Sequence, residues 1–229
     1  MTKPFVLLSI FMILSSCLSA QKGKLYSVLA GSKVEDCIPF GERYRFPEFT
    51  SGKVIFRNGS NTEAKLNYNF LVREMQYMHG KDTLAITNEN DILQIIIADH
   101  TFVVNKGYIE LIYNDKVIVG ISQYFNLLDV RKKDSYGVQS SGSSAESKSS
   151  FLTSGQSFKL TLDQDRLFQK VSFYYIATSS TDFVLFTKKK VMQLFPQNKK
   201  TIESYLKSNK VDFDSRDDLL RLAGYLQNL

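Results

Sequence analysis

The fold of this chain is decided by the stretch KVIFRNGSNTEAKLNYNF, residues 53–70. Alternating apolar and polar residues lie on both sides of Asn58-Gly59, a dipeptide that is typical of tight β-hairpin turns. A two-residue type I′ turn needs positive φ at both positions. Asn and Gly tolerate positive φ, and we therefore predict a type I′ turn here. The alternation gives the second strand two different faces. The predicted core face has Ala64, Leu66, Tyr68 and Phe70, and the predicted solvent face has Glu63, Lys65, Asn67 and Asn69.

The alternation continues on the C-terminal side of this hairpin. Apolar segments recur at roughly ten-residue spacing between turn residues, which is typical of an antiparallel β-meander. The predicted strands are residues 73–78, 83–86, 92–97, 101–104, 108–113, 116–121, 158–162, 169–178 and 182–187. Residues 92–97 are apolar at both odd and even positions, so we expect that strand to be covered on both faces. The predicted fold is mainly β (α+β), an antiparallel β-meander sandwich or partly open barrel with a C-terminal pair of short α-helices.

Near the C-terminus the apolar period changes from two residues to about 3.6. The first predicted helix follows Asn198 and ends near Asn209. Its apolar face contains Ile202, Tyr205 and Leu206. The second helix is predicted to start at Asp214, with an apolar stripe of Leu219, Leu222, Ala223 and Leu226. Both stripes need an apolar surface, either the sheet or another protein.

The first 20 residues have the pattern of an export signal. An apolar run of about ten residues, Phe5–Leu14, follows Lys3 and is too short to cross a bilayer as a helix. Cleavage after Ala20 would give a soluble periplasmic protein. The sequence before Cys17 also resembles a bacterial lipobox, which would make Cys17 the lipidated N-terminus and anchor the chain to the membrane. We keep both possibilities open, with the periplasm or the outer membrane as the expected location.

Behind the signal the chain divides into three predicted parts. Residues 21–51 contain many turn residues and are interpreted as a partly ordered N-terminal arm. Residues 52–187 form the β domain, which includes a Ser- and Gly-rich stretch at 134–157. That stretch is predicted to be a flexible loop, because it has little apolar surface to offset the entropy of ordering. Residues 188–229 form the helical segment.

Composition narrows the possible partners. The formal net charge is +6, and for an exported chain this favours anionic lipid head groups or envelope polymers over nucleic acid. Cys37 is the only cysteine besides Cys17, so we expect it to be a buried apolar side chain rather than part of an intramolecular disulfide.

Few residues form a pattern with chemical meaning. The two histidines, His79 and His100, belong to no metal or catalytic motif, and no cofactor or zinc motif occurs. The acidic residues of 212–218 are interpreted as helix caps, because Ala223 stands where a calcium loop needs a glutamate. Asp163 and Asp165 are the carboxylates considered for acid–base chemistry. An aromatic binding groove would use Tyr113 and Phe173–Tyr175.

The chain resembles a group of exported, signal-peptide or lipoprotein, proteins of Gram-negative bacteria that have no assigned activity. The resemblance depends on the segments Gly52-Lys-Val-Ile-Phe56, Leu66-Asn-Tyr-Asn69, Asp82-Thr-Leu84, Tyr136-Gly-Val138 with the serines after it, and Leu194-Phe-Pro196 to Tyr225-Leu226. It implies a signal followed by a β-then-α layout. Our hypothesis is a non-enzymatic cell-envelope protein that acts as a binding or interaction module. The alternative is a hydrolase or isomerase that acts on an envelope polymer through carboxylates.

Overall fold

The computed structural model describes residues 24–128, 165–179 and 181–229. Strands within these residues form one antiparallel sheet. The strands are β1 (Leu25–Val28), β2 (Thr50–Phe56), β3 (Asn61–Asn69), β4 (Glu74–His79), β5 (Asp82–Ala85), β6 (Ile92–Ile97), β7 (His100–Val104), β8 (Tyr108–Asn114), β9 (Ile118–Leu128), β10 (Arg166–Ala177) and β11 (Val184–Leu185). The helices are α1 (Val34–Cys37), α2 (Phe40–Arg43), α3 (Lys188–Leu194), α4 (Lys199–Asn209) and α5 (Arg216–Leu226), with a 3₁₀ turn at Glu89–Asp91.

The strand order is β1-β10-β9-β8-β7-β6-β2-β3-β4-β5, and β11 also pairs with β10. The sheet is not closed into a barrel, and the helices α3 to α5 follow it near the C-terminus. The predicted mainly antiparallel β fold with C-terminal helices is therefore confirmed. The export signal with Cys17, the stretch 134–157 and the predicted strand 158–162 lie outside the described residues.

Two separate apolar cores lie on one face of this sheet. The first, which we call the sheet core, is built from β1 to β4 and β6 to β10, with large side chains such as Phe102, Phe125 and Phe168 at its centre. The second, which we call the helix core, packs α3 to α5 against Val119 of β9 and Ile176 of β10. Val119 and Phe125 are an even number of residues apart on β9, so their side chains lie on the same face of the sheet. The two cores therefore share that face. A smaller cluster around Ile109 and Phe183 covers part of the opposite face.

The turn at Asn58-Gly59 is correct in position and wrong in type. Gly59 has a φ of 87°, whereas Asn58 is not among the residues with positive φ. The Gly59 amide donates to the Phe56 carbonyl at 3.0 Å, and the Phe56 amide donates to the Ser60 carbonyl at 2.9 Å. The turn is therefore a three-residue loop with one left-handed glycine, a common alternative to the type I′ turn.

The solvent face predicted for β3 is wrong at two positions. Asn67 and Asn69 are fully buried, whereas Glu63 and Lys65 are exposed as expected. The Asn67 side chain accepts a hydrogen bond from the Phe46 amide at 3.0 Å and donates one to the Phe46 carbonyl at 2.9 Å. Residues 45–49, which we call the segment before β2, therefore cover Asn67 and satisfy its polar atoms. These hydrogen bonds remove the usual free-energy penalty for burying an amide.

Residues 24–49, within the predicted N-terminal arm, pack against the sheet. Tyr26 and Val28 of β1 are buried, and β1 pairs antiparallel with β10. Ile38, after α1, belongs to the sheet core. The Arg45 amide donates to the Tyr68 carbonyl at 2.9 Å, which extends the pairing of β3 beyond β2. This placement brings the side chain of Arg45 to the sheet.

The two predicted C-terminal stripes are buried as expected. Their members Ile202, Leu206, Leu219, Leu222, Ala223 and Leu226 all belong to the helix core. The start of α5 differs from the prediction, because Ser215 caps it by accepting a hydrogen bond from the Asp218 amide. The helix α3 was not predicted. Thr187 caps α3, and its one fully buried side chain is Val191, too few apolar positions for a helical period to be visible.

Candidate functional site: a polar strip between the two cores

A strip of polar side chains separates the two cores on their shared face. We define the polar strip as Glu110 of β8, Gln123 of β9, and Lys170 and Ser172 of β10. Ser172 pairs with Gln123, and Glu110 pairs with Ile121, two positions from Gln123, so all four side chains lie on the same face. On each of the three strands, residues on one side of the strip belong to the sheet core and residues on the other side to the helix core.

The strip is open to solvent at its β9 and β10 positions. Ser172 is exposed and Gln123 is half-buried, whereas Phe125 on one side and Val119 on the other are both 0% exposed. The Gln123 Nε2 donates a hydrogen bond to the Ser172 Oγ at 2.9 Å. The hydroxyl proton of Ser172 stays available as a donor, since its oxygen is the acceptor in that bond. The open part of the strip is thus a solvent-exposed polar section between the two cores, and we call this section the cleft.

At its β8 end the strip is occupied by a paired carboxylate. The Glu110 side chain is 8% exposed and accepts two hydrogen bonds from Arg45, Nε to Oε2 at 2.7 Å and Nη2 to Oε1 at 2.9 Å. The His100 Nδ1 lies 2.7 Å from Glu110 Oε1, a distance at which Nδ1 donates to the carboxylate. Its Nε2 lies 3.2 Å from the carboxylate of Asp99. Both ring nitrogens of His100 therefore lie within hydrogen-bond distance of acids.

The electrostatics of this pair follow from its partners. Burial raises the pKa of Glu110, but the hydrogen bonds and charges of Arg45 and His100 outweigh burial, so its pKa lies below the ordinary value. The hydrogen bonds to Glu110 raise the pKa of Arg45. The carboxylate stays ionised at neutral pH and holds the segment before β2 on the sheet.

Lys170 differs from Arg45 because no acid neutralises it. Among the described residues, its ammonium forms no ion pair, and its Nζ lies 3.5 Å from the ring centroid of Phe70. The carboxylate of Glu42 is bonded instead to Lys24, at 3.1 Å. Burial lowers the pKa of Lys170; Glu42 opposes this shift and the charge of Arg45 adds to it. The half-buried end of the strip therefore carries an uncompensated positive charge.

The carboxylates considered for acid–base chemistry do not meet within the described residues. Asp165 is exposed, and its Oδ1 accepts a hydrogen bond from the Ala30 amide at 2.9 Å, which ties the end of β1 to the start of β10. Asp163 lies outside the described residues. The carboxylate of Asp165 thus has a local structural partner.

The aromatic groove is not assembled. Tyr113 and Tyr174 contribute to the helix core, whereas Tyr175 packs against the cluster on the opposite face. Phe173 also lies on that opposite face, where it stacks on Tyr124 at a centroid distance of 5.5 Å. Consecutive residues of a strand point to opposite faces, so the run Phe173–Tyr175 cannot line one groove.

The remaining candidates have structural surroundings. Cys37 is half-buried and packs on the sheet core. The Asp212 amide donates to Asp218 at 2.9 Å and the Asp214 amide donates to Asp212 at 2.9 Å, so these carboxylates shape the entry to α5. Within the described residues, no group of three or more His, Cys, Asp or Glu could hold a metal ion.

A cavity lies at the far end of the sheet core. It has a volume of about 490 Å³ and is lined mainly by apolar side chains of β2 to β4, including Val54, Leu66 and Tyr77. The exposed His79 lines this cavity, which no sequence motif predicted. Its lining includes one acid and one histidine, Glu63 and His79, and Glu63 already pairs with Lys53 at 3.4 Å.

The residues of the polar strip were not identified from the sequence. Arg45 and Glu110 are 65 positions apart and lie in segments without a motif. The one local signal is a charged residue at a core-facing position of an otherwise apolar strand, Tyr108-Ile-Glu-Leu-Ile112. An acid at such a position predicts a buried partner without saying which residue it is.

Comparison with known protein families, curated proteins and solved structures finds no significant match. Among the helices of the described residues, none is long and apolar enough to cross a membrane. Function therefore has to be argued from the polar strip itself.

Proposed function

We propose that this chain is a non-enzymatic binding module of the cell envelope, which holds an envelope polymer or another envelope protein in the cleft between its two cores. The observation that carries the proposal is the open section of the polar strip. Two bodies are packed on one face of a sheet, yet Ser172 between them is exposed and carries an available hydroxyl donor. Ligand sites commonly combine apolar surroundings with a few directed polar groups, and the strip lies between two apolar cores.

The state of the polar groups supports binding over catalysis. Glu110, Arg45 and His100 are bonded to one another, which holds them in place. A general base needs a free lone pair within reach of the substrate proton, and the Glu110 oxygens already accept hydrogen bonds from Arg45. The groups that remain available, Ser172, Gln123 and Lys170, are suited to hydrogen bonding and charge recognition. Catalysis through Asp163 and Asp165 stays a prediction from the sequence.

The proposal is tested by filling the cleft. Ser172→Trp places an indole between the two cores, and Asn126→Trp places the same group at an exposed position on the opposite face of β9. The purified chain and both variants are sedimented with peptidoglycan sacculi, with outer-membrane polysaccharide and with extracted envelope proteins. We expect Ser172→Trp to lose retention at least tenfold, with Asn126→Trp unchanged and all three folded by circular dichroism.

Retention that is equal in both variants, or no retention of the unmodified chain by any envelope fraction, contradicts the proposal. Localisation is tested separately, because export is proposed from the sequence alone. Intact mass spectrometry of the chain from its native membrane distinguishes an acylated N-terminus at Cys17 from a soluble species that begins at Gln21. A chain that keeps Met1 would contradict export.

A further inference from the structure

The charge of Lys170 indicates the kind of ligand that the cleft takes. We infer that the cleft binds an anionic glycan chain, with the Lys170 ammonium contacting a carboxylate of the chain and with Ser172 and Gln123 hydrogen-bonding beside it. This inference rests on the proposed function, since it names the ligand class of the same cleft. It goes further because it assigns the contact to one residue and one charge.

The first step of the argument is the missing counter-charge. Lys170 has no ion pair among the described residues, although the carboxylate of Glu42 lies close enough to act on it electrostatically. That carboxylate is already bonded to Lys24. Arg45 adds a second positive charge nearby, and its own acid, Glu110, is consumed by two hydrogen bonds. A half-buried cation without a partner costs free energy, and a bound anion would recover it.

The second step is the shape of the surroundings. Lys170 lies between the buried Phe168 on one side and the exposed Ser172 on the other, and its Nζ is over the ring of Phe70. Solvent therefore reaches it from the open section of the strip. Because Lys170 is half-buried between the two cores, a single polymer chain that lies across the strands reaches it more readily than a flat lipid surface does. This argues for a chain-like ligand over a membrane surface.

The third step concerns the hydrogen-bonding groups that lie next to Lys170. Ser172 and Gln123 provide neutral hydrogen-bonding groups about one strand position away. Phe70 is buried beneath the ammonium and supports Lys170, not a ligand. Sugars offer hydroxyl groups to Ser172 and Gln123, whereas a free small anion would use the ammonium alone. The combination fits a uronate-type residue, which carries a carboxylate beside its hydroxyls.

The test uses a trimer of galacturonate and its fully methyl-esterified form, which has the same backbone and no charge. Binding is measured by titration calorimetry with the unmodified chain, Lys170→Met and Lys207→Met. Methionine keeps the unbranched apolar stem of lysine and removes the charge. Lys207 is the matched control, because its side chain is exposed on α4 and it has no part in the polar strip or in the Lys24–Glu42 pair.

We expect the ester to bind at least tenfold more weakly than the uronate. Lys170→Met should weaken uronate binding about 10- to 100-fold, the range for losing a hydrogen bond to a charged group. Lys207→Met should change it less than about threefold, because exposed charges contribute little. Thermal unfolding provides a second readout. Since the fold disfavours the charged form of Lys170, the Lys170→Met variant should unfold at the same temperature as the unmodified chain or at a higher one. If Lys170 had a purely structural role, the variant would unfold at a lower temperature.

Several results would overturn the inference. Equal binding of the uronate and its ester would show that charge is not recognised, and equal loss in both lysine variants would show non-specific attraction. Vesicles of phosphatidylglycerol that bind through Lys170 while the trimer does not would assign the site to lipid instead. If Ser172→Trp abolishes retention of envelope fractions and Lys170→Met does not, the proposed function stands and this inference fails. If the unmodified chain retains no envelope fraction, the proposed function is the one that fails.

Discussion

The two cores on the shared face of the sheet are specified by different kinds of residue. The helix core depends on apolar stripes, such as Ile202 with Leu206 on α4, packed against buried residues of β9 and β10. The strands that build the sheet core also carry the buried polar side chains of the described residues. These are Asn67, Asn69, Gln76 and Glu110. No helix of the helix core contributes one.

This difference follows from how each body meets the sheet. A helix satisfies its own backbone and needs only apolar area to dock. The segment before β2, residues 45–49, forms no helix, so its backbone and the Arg45 side chain need partners on β3 and β8. Asn67 and Glu110 supply those partners. The helix half should therefore respond to lost apolar volume, and the sheet half should respond to lost hydrogen bonds and to acid.

The largest effect is expected in the helix core. Ile202→Ala removes a fully buried side chain and leaves a cavity, which should lower the free energy of unfolding by about 2–5 kcal/mol. Glu203→Ala, at the next and exposed position of α4, should change it by less than about 0.5 kcal/mol. Urea unfolding followed by circular dichroism measures both. A loss below about 1 kcal/mol for Ile202→Ala would mean that the helices are held by something other than their stripe.

The next effect is a dependence on pH in the sheet half. Glu110→Gln removes the charge that binds Arg45 and should cost about 1.5–3 kcal/mol at neutral pH, the range for hydrogen bonds to charged groups. Because the folded pKa of Glu110 is lowered, its stabilisation is present above its ordinary pKa and is lost as the pH falls through the folded value. The difference between the unmodified chain and Glu110→Gln should therefore shrink on acidification.

Urea unfolding at a series of pH values from neutral to acid tests this sign. Glu203→Gln, an exposed acid on α4, is the control and should show no pH-dependent difference. A gap between Glu110→Gln and the unmodified chain that stays constant or widens at low pH would show that the carboxylate charge does not hold the segment before β2.

The sequence predicted what depends on local periodicity. The stripes of α4 and α5, the position of the Asn58-Gly59 turn and the buried face of β3 follow from the spacing of apolar residues alone. The sequence could not predict which polar residues of β3 are buried. An asparagine on a strand is predicted to be exposed unless a buried hydrogen-bond partner for it is known. The partner of Asn67 is the backbone of Phe46, 21 positions away. Residues of nearly every type have the same backbone groups, so the sequence does not indicate which one is the partner.

The polar strip was not predicted either, because its residues are also brought together from distant parts of the chain. Its residues come from three neighbouring strands, β8 to β10, and the bonded pair Gln123 and Ser172 is 49 positions apart in the chain. Lys170 is one of many lysines in a basic chain, and what distinguishes it is the engagement of Glu42 by Lys24. Such an absence of a partner is a property of the folded arrangement, which periodicity does not contain.

The smallest expected effect concerns Asn67, and it separates the two halves most directly. Asn67→Ala leaves the Phe46 amide buried without its acceptor, which should cost about 1–3 kcal/mol. Asn61→Ala, at the exposed start of the same strand, loses no such bond and should stay within about 0.5 kcal/mol of the unmodified chain. Hydrogen exchange at the Phe46 amide gives the local readout, because that proton loses its partner only in Asn67→Ala. If the exchange rate of Phe46 rises while the amides of α4 keep their protection, the polar pairing holds the segment before β2 independently of the helix core. Equal protection of Phe46 in both variants would mean that the segment is held by apolar packing, as the helices are, and that the two halves do not differ in the way argued here.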